Sequence, residues 1–575
     1  MEKYVIRVGG EAGWGIASAA DILAKIFINL GYNIFSSKDY SSQIKAGHNY
    51  HTINISKHSI RADYQQVDLL LALDKVTIET HQDSLNENAI VLFKEGTEFE
   101  KKEGINYISI PLAKIEKELE QKNVRNAAFL GTAIKVLGID YQKLELVLEE
   151  YFLKKEQLKE ILKKAAFKGY ELAEKEEKSN VPEIKNDNDQ TEFITGNDAI
   201  VKGALEAGLT FHAQYPMTPV SGVLHSLAKE ATNNPNLTVI QPEDEIATIN
   251  FALGASYAGA KAMTATSGGG FALMVESLGL AGMAEVPLVI IEGQRPGPAT
   301  GLPTKTEQGD LKFVLSAGTG DFPGIVIAPS DIEESYNETK RAFQLAEKYQ
   351  LPVIVLVDKH LTESFKNINF NEIPNKFDHD FSKTINIIQD VDEKNLNKDG
   401  LFKRYQDKKL LRTLPGTVNG IYTCAGDEHD EVGYITENYD IRVKMMQRRM
   451  QKLELIEKEL PDNEVIGPQE ADLTIISWGS NKGAIIEALE KVNSEEGKKV
   501  NFLNIRFMLP FKTKQVKEIL EKSKELLLIE ANYTAQLASL IAEQTGIKIK
   551  NKFLRYDGRT STIDETYQEI KKWLN

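Results

Sequence analysis

Three glycine-rich stretches of low charge set the tightest limit on how this chain folds. They are residues 215–222 (Tyr-Pro-Met-Thr-Pro-Val-Ser-Gly), 264–271 (Thr-Ala-Thr-Ser-Gly-Gly-Gly-Phe) and 294–301 (Gln-Arg-Pro-Gly-Pro-Ala-Thr-Gly). Such runs pack poorly as a core but leave backbone amides free to approach a ligand. An acidic knot, Glu243-Asp244-Glu245, falls between the first two. A carboxylate and an arginine among such loops can move protons and bind an acid. The pattern points to a cofactor enzyme, not an inert scaffold.

At 575 residues the chain exceeds a single hydrophobic core, and its length predicts about four domains. Hydrophobic residues at 42% and charged residues at 27% place it among soluble globular proteins. The net charge of −15 is spread along the chain, and no Lys/Arg block stands free of acids. A nucleic-acid partner is therefore not expected. The first residues read as a strand with no basic-then-apolar leader, and the apolar run 286–291 is far too short to span a bilayer. No membrane partner and a cytoplasmic location are expected. Cys424 is the single cysteine. A [4Fe–4S] cluster needs four thiolates, so this chain cannot hold one alone, and it cannot form an internal disulfide.

Residues 1–177 alternate short apolar strands (5–8, 69–72 and 89–93) with amphipathic helices, and 16–30 has clear 3.6-residue spacing. That alternation predicts a parallel α/β layer, closed by a Lys/Glu-rich helix over 154–177. Residues 178–193 are polar, lack apolar periodicity, and read as a linker. A second α/β unit spans 194–365 and ends in a buried strand at 351–358. Residues 366–467 form an irregular connecting segment that finishes in a charged helix near 440–460. A last β–α–β unit occupies 468–575, with strands at 472–478 and 524–529. No repeat has a solenoid period.

The turn at 8–15 (Val-Gly-Gly-Glu-Ala-Gly-Trp-Gly) joins the first strand to the first helix, where amides can face a phosphate. Its G-x-x-G-x-G order departs from the dinucleotide G-x-G-x-x-G. A nucleotide-dependent oxidoreductase built on Gly9–Gly15 is thus one alternative, and a tight turn beside a partner or ligand is favoured over it. In 41–49 (Ser-Ser-Gln-Ile-Lys-Ala-Gly-His-Asn) a polar loop carries Lys45 towards a neighbouring site; a surface loop with His48 bonded to backbone is the plainer reading.

In Tyr215-Pro216-Met217-Thr218-Pro219 the prolines fix φ on either side of Thr218 and hold its hydroxyl at a strand end. After Glu243-Asp244-Glu245 comes a helix of small residues, nearly uncharged through Ala260, which implies burial. Carboxylates at its start suit capping, and one that enters a buried site can exchange a proton. The glycine run leads into an apolar helix whose Met274 and Met283 read as core filler. Arg295 follows the strand 286–291, at the end where α/β sheets place ligands, and its planar fork suits a carboxylate. Thr304, Thr306, Glu307 and Gln308 add polar groups on the same loop. Residues 423–431 hold one Cys, one His and several acids, but bunched without the spaced pairs of a zinc site, so no metal is expected there.

In this order the motifs closely resemble those of the 2-oxoacid:ferredoxin oxidoreductases, over essentially all 575 residues. The chain looks like their alpha subunit with the gamma domain fused to its N-terminus. Tyr-Pro-Met-Thr-Pro matches the family's Tyr-Pro-Ile-Thr-Pro; Thr-Ser-Gly-Gly-Gly, Gln-Arg-x-Gly-Pro-x-Thr-Gly and Pro-Thr-x-Thr-Glu-Gln-x-Asp are close matches. The implied fold is multidomain α/β: a parallel-sheet gamma domain, a thiamine-diphosphate pyrimidine-binding domain and a transketolase C-terminal-like domain. The implied activity is oxidative decarboxylation of a 2-oxoacid such as 2-oxoglutarate or pyruvate. The acyl group passes to coenzyme A and the electrons to ferredoxin.

By that resemblance Glu245 hydrogen-bonds N1′ of the aminopyrimidine, and Tyr215, Pro216 and Thr218 line the cofactor. Thr218 lies beside the reacting carbon, Arg295 pairs with the substrate carboxylate or 2-oxo oxygen, Thr304 assists, and Lys45 reaches the same pocket. The chain departs from a complete enzyme in lacking Gly-Asp-Gly with its later Asn, and in lacking cluster cysteines. In the family a beta subunit supplies both. Thiamine diphosphate is thus expected at a shared interface, with Mg²⁺ and the [4Fe–4S] cluster on the beta partner and an αβ or (αβ)₂ assembly. The loop at Lys45 reads Lys-Ala-Gly-His-Asn where Arg-Gly-Gly-His-Asn is frequent. A non-catalytic assembly subunit whose loops only dock a partner is the remaining alternative.

Overall fold

The alternation of apolar strands and amphipathic helices resolves into three sheets. The computed structural model describes residues 3–42, 47–173, 181–184, 190–374, 386–406, 410–495 and 497–574. In the first sheet Lys3–Glu11 runs parallel to Val67–Ala72, followed by Leu85–Lys94 and Asn106–Ile110. Helix Ile16–Asn29 covers one face with Ile22, Leu23, Ile26 and Phe27, and the Lys/Glu-rich helix runs Glu156–Leu172. Beside the parallel strands the sheet also carries an antiparallel pair, His48–Ser56 and Asn33–Asp39. These two strands are consecutive in sequence, and antiparallel neighbours need no crossover helix.

The expected linker is partly docked. Ile184 N–H donates to Leu30 O at 2.8 Å and the Tyr32 hydroxyl donates to Pro182 O at 2.9 Å. Val181, Ile184 and Phe193 of this segment pack on the first core. Residues 174–180 and 185–189 lie outside the described residues.

The units exchange edge strands. Phe365–Ile368 pairs with Asn33–Asp39 of the first sheet and with Glu192–Thr195, and Ile34 N–H donates to the Asn367 side chain at 2.7 Å. The second sheet runs in the order Phe507–Leu509, Ile325–Ile327, Pro352–Asp358, Leu288–Gln294, Ala262–Thr266, Phe211–Ala213, Thr238–Ile240. Its strands are parallel except Phe507–Leu509, which comes from the last unit. Apolar clusters fill both faces, which is why these strands are mostly apolar and lack the alternation of a half-exposed sheet. The third sheet is Glu464–Ile466, Val500–Asn504, Leu473–Ser477, Glu525–Glu530 and Asn551–Leu554.

The irregular segment is pinned by charge. On helix Tyr439–Glu459, Arg448 and Lys452 bond the fully buried Glu285, the latter at 2.6 Å. Arg449 forks onto Glu428 at 3.0 and 2.7 Å. Among the described residues no helix is long and apolar enough to cross a membrane.

Candidate active site

Parallel strands end together, so the loops after Phe211–Ala213, Ala262–Thr266 and Leu288–Gln294 converge on one edge of the second sheet. All three glycine-rich stretches lie there. The central one opens helix Gly268–Met283. A Cβ on Gly268 would lie 2.5 Å from Asp310 Oδ2, and one on Gly270 would lie 2.7 Å from Glu245 Oε1, while Gly269 has nothing within 4 Å. The turn is therefore walled by a carboxylate at each end and open in the middle.

The acidic knot divides its tasks. Asp244 is the N-cap of helix Glu245–Tyr257 and accepts the Ala247 N–H at 2.7 Å. Capping is thereby satisfied one residue early, and Glu245 turns inward at 5% exposure. No hydrogen bond or ion pair from a described residue reaches its carboxylate. Its oxygens are not sealed from solvent, so a donor arriving at the open turn can reach them. An aminopyrimidine nitrogen bearing hydrogen suits this carboxylate as a donor.

Arg295 is joined to the Thr218 loop: its Nη1 donates to Thr218 O at 3.0 Å, leaving other N–H groups of the fork unspent. Burial lowers the Arg295 pKa while Asp310 and Glu292 oppose that shift. The Thr218 side chain meets Tyr40, which reaches in from the first unit and donates to Glu363 Oε1 at 2.9 Å. Thr304 is buried, and its neighbour Lys305 is ion-paired to Asp39 of the first unit. Tyr215 is exposed, with the half-buried Pro216 beside it. Glu307, half-buried near Asp310, has its pKa pushed up to about 7, mainly by burial.

The loop 303–310 is locked by Gln308. Its side chain donates to Trp478 O at 2.9 Å and accepts from Asn481 Nδ2 at 2.8 Å and Ala531 N–H at 3.0 Å. The last unit thus holds the site loop in place.

The small-residue helix after Glu245 does not have the full burial its composition implies. Ile246 is 50% exposed and Phe251 52%; Leu273, on the adjoining helix Gly268–Met283, is 52% exposed. An ordinary solvent face would carry charge. This one is apolar and stays uncovered among the described residues.

Other expectations land elsewhere. Lys45 lies outside the described residues. His48 bonds the side chain of His81 rather than backbone, with their Nε2 atoms 2.9 Å apart, and Arg7 donates to His81 Nδ1 at 3.2 Å. Gly9 and Gly10 belong to the first strand, where a Cβ on Gly9 would lie 2.7 Å from Thr77 and one on Gly10 3.0 Å from Leu73. They serve packing, so only Gly13 and Gly15 shape the turn, each at positive φ. In 423–431, Glu428 is held by arginines and His429 Nδ1 bonds Asp427 O at 2.9 Å, which makes the cluster structural. Tyr40, Glu292 and Asp310 were missed. Glu292 carried a signal as the sole charge in the apolar strand Leu288–Gln294, and Asp310 closes a recognised motif.

Comparison with known proteins agrees with this layout. The family model described as pyruvate ferredoxin/flavodoxin oxidoreductase matches residues 5–172. That described as pyruvate flavodoxin/ferredoxin oxidoreductase, thiamine diP-bdg, matches 202–395, and the transketolase C-terminal domain matches 464–563. The 2-oxoacid:ferredoxin oxidoreductase subunit alpha of a Sulfolobus sp is 33% identical over 98% of this chain and 96% of its own length. The 2-oxoglutarate oxidoreductase subunit KorA of Mycobacterium tuberculosis is 28% identical over 94% and 87%. A solved 2-oxoglutarate:ferredoxin oxidoreductase from Magnetococcus marinus, with 2-oxoglutarate, coenzyme A and succinyl-CoA bound, superposes with a TM-score of 0.89 at 30% identity over all of both chains. The chain belongs to the 2-oxoacid:ferredoxin oxidoreductase family, among its alpha subunits.

Proposed function

We propose that this chain is the fused gamma–alpha subunit of an enzyme that oxidatively decarboxylates a 2-oxoacid, yielding acyl-coenzyme A and reducing ferredoxin. The carrying observation is Glu245: a carboxylate turned inward against a three-glycine turn, beside an exposed apolar face. Thiamine diphosphate, when bound, supplies the nucleophilic carbon and the electron sink for loss of CO₂. Glu245 holds the proton exchanged at N1′ of the aminopyrimidine. Arg295 offers a charged fork to the substrate carboxylate, steadied by its bond to Thr218 O. Tyr215, Pro216, Thr218 and Thr304 shape the pocket around the reacting carbon.

The apolar face around Ile246, Phe251 and Leu273 supports a beta subunit as the missing cover. With one cysteine and no Gly-Asp-Gly motif here, the Mg²⁺ and the [4Fe–4S] cluster belong to that partner in an αβ or (αβ)₂ assembly. A single cysteine in 575 residues also suits a reducing, cytoplasmic setting. The test is reconstitution. The chain co-purified with its partner reduces ferredoxin when given thiamine diphosphate, coenzyme A and a 2-oxoacid, and the chain alone reduces nothing. Strong 2-oxoacid-dependent dye reduction by the lone chain overturns the division of labour.

A further inference from the structure

Beneath Arg295 lies a pair of acids that the chemistry above does not use. Glu292 stands in strand Leu288–Gln294, in register with Thr266 on one side and Leu356 on the other. It is 0% exposed, and neither carboxyl oxygen has a donor. Asp310 approaches from the site loop, its N–H fixed by the Gln294 side-chain oxygen at 3.1 Å. The two carboxyl groups are within hydrogen-bond reach of each other.

Two carboxylates at that separation cannot both stay ionised where water is excluded, because desolvation and mutual repulsion act in the same direction. A proton between them removes both penalties and turns two acceptors into a donor–acceptor pair. Its place follows from the surroundings. The Asp310 carboxylate lies against Gly268, at the N-terminus of helix Gly268–Met283, where the dipole favours an anion. Glu292, in register with Thr266 and Leu356 inside the sheet, sits at no helix N-terminus. Glu292 therefore carries the O–H and donates it to Asp310. Burial, then Asp310, hold the Glu292 pKa well above the carboxylate range, and burial raises that of Asp310 as well. The charged groups acting on the pair are Arg295 and, on the same loop as Asp310, Glu307.

We propose that Glu292 and Asp310 share one proton and act as a single negative charge that positions Arg295, so that loss of this proton weakens binding of an anionic substrate. The proposal rests on the function given above. While the proton is held, one negative charge faces Arg295 and its free N–H groups remain available to a substrate carboxylate. Once the proton leaves to solvent, two negative charges draw the guanidinium back and repel the incoming anion. Binding that requires one proton weakens about tenfold per pH unit beyond the pair's titration.

Two measurements test this. Infrared spectra of the purified chain at neutral pH are expected to show a deuteration-sensitive protonated-carboxyl band that Glu292→Gln removes. Asp310→Asn is expected to remove it too, since an amide donor lets Glu292 ionise. In the reconstituted complex the KM for the 2-oxoacid is expected to rise towards alkaline pH, and to stay flat in Glu292→Gln, whose amide donates permanently to Asp310. Lack of a band sensitive to either substitution overturns the shared proton. A Glu292→Gln enzyme whose KM climbs with pH as steeply as the parent's overturns the positioning role. The infrared arm needs no partner, cofactor or turnover, whereas absence of turnover in the complex counts against the function itself.

Discussion

The Glu245 carboxylate fills the space that a side chain on Gly270 would need. A Cβ there would lie 2.7 Å from both Cγ and Oε1 of Glu245 and would also strike Thr266 Oγ1. The acid and the glycine act as one unit, since the glycine lets the acid stay buried against the turn. Gly270→Ala is expected to displace Glu245 and lower turnover of the complex at least tenfold. Its overpacking cost is about 1–3 kcal/mol, read as a lowered thermal midpoint of the lone chain. An alanine variant with unchanged turnover would show that the carboxylate need not sit there.

Glu245→Gln keeps the shape and removes the exchangeable proton. Turnover in the reconstituted complex is expected to fall by about 10²–10⁴-fold, the usual share of a general acid–base group. Association with the partner subunit, followed by size-exclusion chromatography, should not change. Unaltered turnover would favour the non-catalytic assembly role.

Phe251 belongs to an apolar stripe left exposed among the described residues. Phe251→Asp should leave the lone chain folded, because the side chain packs little within it. Its affinity for the partner should drop by about 2 kcal/mol or more, some thirtyfold, as for a truncated anchor at an interface centre. Co-purification through a tag on the partner reads this out. Undiminished capture would move the interface elsewhere.

Much of this was legible beforehand, and the exceptions have physical causes. Apolar runs and helical spacing revealed the strand Leu288–Gln294 and the helix Ile16–Asn29 because those elements bury whole faces. The glycine-rich stretches had to lie at strand ends, and they do. Which member of Glu243-Asp244-Glu245 would cap was not legible, because one residue of register separates capping from burial. Tyr40 and Glu363, bonded across 323 positions of chain, share no local signal. Strands as short as Phe365–Ile368 and Phe507–Leu509 show no periodicity, and only the sheets they join make them strands. The exposed face of helix Glu245–Tyr257 reads as buried because composition cannot distinguish a covered apolar face from an uncovered one.

Glu530 provides a test by pH. It is buried, accepts from Trp478 Nε1 at 3.0 Å and Leu537 N–H at 2.9 Å, and has one oxygen without a partner. Burial pushes its pKa up to about 7. An acid raised on folding favours the native state while protonated, so its contribution is complete below the ordinary carboxyl pKa and is lost as pH rises through the folded value. The loss approaches an order of 3 kcal/mol. Calorimetry from about pH 5 to about pH 8 should show a falling midpoint in the parent and a smaller fall in Glu530→Gln. Equal slopes would refute the assignment.

The loan of Phe365–Ile368 to the first sheet, where it lies between Asn33–Asp39 and Glu192–Thr195, affects how the chain comes apart. A protease cut between residues 173 and 190 would sever the covalent thread but not the ladder of backbone bonds across the seam. The nicked halves should migrate as one particle until denaturant opens that ladder, and a fragment expressed without residues 365–368 would present a bare strand edge ready to pair with a stranger.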